Sequence, residues 1–94
     1  MNNFSDLNHL PANVKALIVN GQTLINEANE TMKEHTYNFD LTSKREIKTD
    51  IKTVERNIFL IAKGKATEKN IKALENSIIK LRTVLTGVVN FFVS

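Results

Sequence analysis

The residue types that carry out chemistry are few in this chain, and they do not gather. Ser5, Ser43, Ser77 and Ser94 stand without a histidine at motif spacing, so no hydroxyl has a base and an orienting group beside it. His9 and His35 fall at opposite ends of the first helical segment, with no other histidine, cysteine or paired carboxylates at ligand spacing. Glu27, Glu30 and Glu34 line one side of that segment, as carboxylates of a bundle metal site would. No Glu-x-x-His stretch accompanies them, and they read as a solvated acidic face. A glycine-rich phosphate loop is absent too. The expectation is a protein that is not an enzyme, with no catalytic residue, no cofactor and no metal.

Charge is the remaining chemical resource. Thirteen basic side chains against ten acidic give a net charge of +3, too mild an excess to indicate nucleic acid. Its distribution is more telling, because Lys44, Lys48, Lys52 and Arg56 recur every four residues and stack on one helix face. Asp50 and Glu55 are expected to flank that face, with no aromatic interleaved. It reads as a solvated surface or as the docking face for an acidic protein partner.

The elements that hold these residues are legible from apolar spacing. Ile71, Leu74, Ile78, Leu81, Leu85, Val88 and Phe92 recur at alternating steps of three and four, the signature of a helix with one buried seam. Val14, Leu17, Leu24, Ala28 and either Thr31 or Met32 form a second stripe, widened by Ile18 and Ile25. Ile47, Ile51, Val54, Ile58 and Ile61 form a third. Pro11 suits a first helical turn, and Gly21 sits on the buried stripe as a packing notch. Ser43-Lys-Arg-Glu46 has the capping-box form and marks a helix start. Lys63-Gly64 marks a stop, and Thr67 can cap the next helix, with Gly87 as an interruption near its end.

These signals predict an all-α fold, an antiparallel up-down-up three-helix bundle with helices over about residues 11–35, 43–63 and 67–93. Residues 1–10 form an N-terminal extension and residues 11–94 one helical-bundle domain, since 94 residues with 41% hydrophobic content make one core. Tyr37, Phe39 and Leu41 are expected to meet Phe91 and Phe92 and cap one end. No apolar run approaches the roughly 18 to 20 residues of a membrane span, and Met1-Asn2-Asn3 does not open a signal peptide. A soluble, unprocessed chain without membrane contact is expected. The absence of cysteine is compatible with a reducing cytoplasm.

Val88 to Val93 is apolar on more sides than one seam can bury, so Val89, Phe91 and Val93 need a further partner. The loop with Phe4, Leu7 and Leu10, a second copy making a homodimer, or another domain of a longer protein would each serve. Independently, Leu24-Ile25, Met32-Lys33-Glu34-His35, Leu41-x-x-Lys44 with Ile47 and Ile51, Lys63-Gly64 and Ile71-Lys72-Ala73-Leu74 together resemble the C-terminal helical lid of the seventy-kilodalton heat-shock chaperones, the DnaK/HscA-like family. The resemblance runs over about residues 13–81. It implies a non-catalytic lid-like module that covers a peptide-binding domain located elsewhere, with the rest of a chaperone as its partner. It further implies that Leu24, Ile25, Met32, Ile47, Ile51, Ile71 and Leu74 are bundle core, that Gly64 is the turn, and that residues 13–20 face the cleft. The alternative is a stand-alone helical interaction protein of the adaptor, immunity-type or regulatory-subunit kind.

Overall fold

A computed structural model describes residues 10–34 and 41–93, with side chains described as far as Val88. Three helices follow one another: α1 (Ala12–Glu34), α2 (Leu41–Ala62) and α3 (Glu68–Val93). Each expected stripe becomes a buried face. Ile47, Ile51, Val54, Ile58 and Ile61 of α2 meet Leu74, Ile78, Leu81 and Leu85 of α3 and Val14, Ile18, Leu24, Ile25 and Ala28 of α1 in one core. Ile71, Val88, Leu17 and Met32 pack on it while half-buried. Leu10, assigned by sequence to the N-terminal extension, is itself buried in this core.

Helix directions follow from cross-contacts. Asn57 of α2 reaches Ala73 and Ser77 of α3, and Asp50 reaches Lys80, so the two helices run antiparallel. Gly21 of α1 faces Ile78 while Glu27 and Glu34 share a groove with Leu85, so α1 runs parallel to α3. Gly21 is the expected notch. A Cβ there would lie 3.0 Å from Ile58 Cδ1, 3.3 Å from Val54 Cγ1 and 3.4 Å from Ile78 Cδ1, which lets α1 sit against both neighbours at once.

The termini of the helices show how local chemistry sets their lengths. Pro11 contributes its carbonyl to the amides of Val14 and Lys15 and so opens α1. At the end of α2 the Gly64 amide donates to the Ile61 carbonyl and the Lys65 amide to the Leu60 carbonyl. This is the Schellman pattern, and it requires the left-handed backbone that Gly64 adopts at φ 114°. Gly64→Ala is expected to cost about 1 to 2 kcal/mol, although open space surrounds the site. Urea unfolding followed by circular dichroism checks this, and an unchanged midpoint would mean that the turn does not depend on that backbone. Thr67 caps α3 as expected, its Oγ1 accepting from the Asn70 amide.

Three expectations are corrected. The second helix starts at Leu41 and not at Ser43, so Ser43 is within the first turn. A cap must precede the first helical residue, so Ser43 does not hold the cap position. Leu41 does not close the core end, being 63% exposed as that first residue. Gly87 does not interrupt α3, which runs on to Val93. Tyr37, Phe39, Phe91 and Phe92, expected to cap the core, lie outside the residues whose side chains are described.

Candidate functional site

α2 turns its apolar stripe inward, and the helical period then dictates what faces water. At about 100° per residue, Arg45, Lys48, Lys52, Arg56, Phe59 and Lys63 fall within roughly 80° of arc, and all six are exposed. Lys44 sits at the margin of this ridge and is half-buried. Of the four cations expected on this face, Lys48, Lys52 and Arg56 are on the ridge and Lys44 is at its margin. Arg45, Lys63 and Phe59 belong with them, and the 3-4 spacing from Lys52 to Lys63 was the signal for it.

Two features of the face differ from expectation. The ridge does carry an aromatic, for Phe59 is 44% exposed and Lys63 Nζ lies 5.6 Å from its ring centroid, within cation–π range. Asp50 does not flank the ridge. It is 4% exposed and turned toward α3, where its Oδ1 lies 3.3 Å from Lys80 Nζ. The reason is positional: residue 50 stands three after Ile47 and four before Val54, at the edge of the stripe that α3 covers. Glu55 does stand at the edge of the ridge, lining a shallow groove with Gln22, Asn26 and Ile58.

With Asp50 withdrawn, Glu55 is the acidic side chain left at the edge of the ridge. Among the described residues, Lys80–Asp50 is the ion pair formed, and the cations of the α2 ridge form none there. Like charges spaced four apart on a helix each cost a few tenths of a kcal/mol. The helix tolerates this cost through its buried side, where Asn57 Nδ2 donates to the Ala73 carbonyl and to Ser77 Oγ, and Ser77 Oγ donates to the Leu74 carbonyl. Asn57 is not among the candidates the sequence offers, and Ser77 stands there only as a hydroxyl without a base.

The remaining candidates are dispersed. Glu27, Glu30 and Glu34 are exposed and line an open groove of about 540 Å³ with Thr23, Leu85 and Thr86. Among the described residues no three of His, Asp and Glu come close enough to hold a metal ion. His9 and His35 lie outside the described residues. Val89, Phe91 and Val93 belong to α3 by backbone, and their side chains lie outside the described set. No helix among the described residues is long and apolar enough to cross a membrane.

Family models, curated proteins and solved structures offer this chain no match. The arrangement of its own side chains therefore carries the functional reading. A ridge of five cations around a phenyl ring can attract carboxylates over a distance and hold an apolar side chain at contact.

Proposed function

We propose that this chain is a non-catalytic helical interaction protein whose working surface is the outer face of α2 and whose partner is an acidic protein segment. One observation carries the reading: five exposed cations share a ridge with an exposed phenyl ring, and none is paired within the described residues. Unpaired charge of one sign costs stability, and a partner that supplies carboxylates recovers that cost on binding. Absence of cysteine suits a reducing cytoplasm, which is the compartment this reading assigns.

The test is photo-crosslinking in the protein's own cells, with a photoreactive side chain at position 59 on α2 or at position 79 on α3. Ile79 is 62% exposed and lies off the ridge, so it reports background. Crosslinks to protein from position 59 and not from 79 are expected. Crosslinks to nucleic acid from position 59, or equal yields from both, would overturn the reading.

A second reading keeps the same bundle and makes the partner the rest of a chaperone, with this chain as its lid-like module. Burial of Leu24, Ile25, Ile47, Ile51 and Leu74, and the left-handed Gly64 turn, support it, since these are the positions that the resemblance assigns to core and turn. On that reading the position-59 crosslink lands on a peptide-binding domain.

A further inference from the structure

The acidic complement to the α2 ridge is present in the same chain. On α1, Val19, Thr23, Glu27, Glu30 and Glu34 are exposed and succeed one another at steps of three and four. Taken in the reverse direction on α2, Phe59, Arg56, Lys52, Lys48 and Arg45 are exposed with the same kind of step. Val19 to Glu30 and Phe59 to Lys48 are each eleven positions, about 16 Å along a helix rising 1.5 Å per residue. Laid antiparallel, the ridges bring Val19 onto Phe59, Glu27 beside Lys52, Glu30 beside Lys48 and Glu34 beside Arg45. Val19 and Phe59, 53% and 44% exposed, would cover each other.

Within one chain the two ridges cannot meet, because each points away from the core on which its own helix packs. We propose that the outer face of α2 takes the α1 ridge of a second copy of this chain. The inference rests on the reading of that face as an acidic-partner surface and names the partner. Gly21 lies against Val54 and Ile58, so Val19 and Phe59 stand at nearly one height in the bundle, as do Glu30 and Lys48. Copies therefore meet side by side with parallel axes and little axial shift. A phosphate polymer would neutralise the cations and leave Val19 uncovered, whereas a second α1 satisfies both. The contact is one helix, about 10 Å, wide and about 23 Å long, well below the roughly 800 Å² per partner of standard interfaces. It is consequently weak, salt-sensitive and concentration-dependent. It is also heterologous, so a pair of copies retains one free acidic ridge and one free basic ridge.

Analytical ultracentrifugation of the full chain tests this. At low ionic strength the average mass should rise above one chain with concentration, and in about 0.5 M salt, where screening is nearly complete, it should return to the monomer. Glu30→Lys alone and Lys48→Glu alone should each stay monomeric with unchanged helical circular dichroism. An equimolar mixture of the two variants should associate again, because each supplies the charge that the other lacks. Three results would overturn the proposal: a wild-type monomer at low salt up to millimolar concentration, association indifferent to both charge reversals, or association abolished only by Val89→Glu with Phe91→Glu. A wild-type monomer that still crosslinks to another protein through position 59 would sink the second-copy assignment and leave the acidic-partner reading standing.

Discussion

Gly21→Leu should destabilise the bundle by about 3 kcal/mol, while Gly21→Ala should stay within about 1 kcal/mol of the parent. The notch is bounded by three methyl groups from two other helices, at 3.0 to 3.4 Å from a prospective Cβ. Alanine gains about 1 kcal/mol of helix propensity over glycine, offset by pushing Ile58 Cδ1 a few tenths of an ångström. Leucine adds three more carbons with no space for them, and overpacking of this kind costs 1 to 3 kcal/mol or more. Ile58→Val removes the nearest methyl. The pair Gly21→Ala with Ile58→Val should accordingly be more stable than the sum of the single changes, by about 0.5 to 1 kcal/mol. Urea titrations of the four proteins measure this, and strict additivity would show that Ile58 does not limit the approach of α1. For a domain whose whole stability is of order 5 to 14 kcal/mol, the leucine variant sits close to the unfolding threshold.

Lys80→Glu should cost about 2 to 3 kcal/mol, at a position 65% exposed where a surface charge reversal ordinarily costs little. The difference lies beneath it. Asp50 is buried, its Oδ1 faces the Lys80 ammonium at 3.3 Å, and its Oδ2 has no hydrogen-bond partner among the described residues. Two carboxylates about 4 Å apart repel by roughly 4 kcal/mol at an effective dielectric of 20, and part of this is relieved because the new side chain can swing into water. Lys80→Met should cost less, about 1 to 2 kcal/mol, since it removes the attraction without adding repulsion. Asp50→Leu should be neutral or mildly stabilising, as buried ion pairs exchanged for apolar residues often are. In an Asp50→Leu background, Lys80→Glu should then cost almost nothing. If the reversal costs the same in both backgrounds, the ion pair is not the source of the effect.

These cases mark what could be read in the sequence. The five buried aliphatics of α2 and the seam of α3 repeat without a polar intruder, so periodicity alone assigns their side. Gly64 and Thr67 act through rules confined to neighbouring residues, and each was legible for that reason. Asp50, Asn57 and Ser77 were harder. Each stands at the edge of a stripe, three after one core residue and four before the next, and whether an edge is covered depends on where the neighbouring helix lies. Spacing within one helix does not contain that information. Phe59 is a different case: it looks like core by type, yet its spacing from Lys52, Arg56 and Lys63 places it on the outer ridge. The candidate site was therefore largely legible, its cations and aromatic from spacing along α2, while the withdrawal of Asp50 depends on where α3 lies. The start of α2 failed differently, because Ser43-x-x-Glu46 satisfies a capping rule two residues inside the helix that begins at Leu41.

The Asp50 and Asn57 contacts also answer a question of ambiguity. Aliphatic seams that repeat every seven residues are translationally degenerate: α3 could slide one heptad along α2 and still match Ile or Leu against Ile or Val nearly everywhere. The polar contacts break that symmetry. Shifted one way, Asp50 would face Ala73 in place of Lys80, and Asn57 would face Asn70 in place of Ser77; shifted the other way, they would face Gly87 and Val84. In either alternative a buried carboxylate loses its cation, which is among the most expensive errors a small core can make. One aspartate and one asparagine thus act as an alignment mark on two otherwise repetitive surfaces, excluding the wrong registers more than they strengthen the right one.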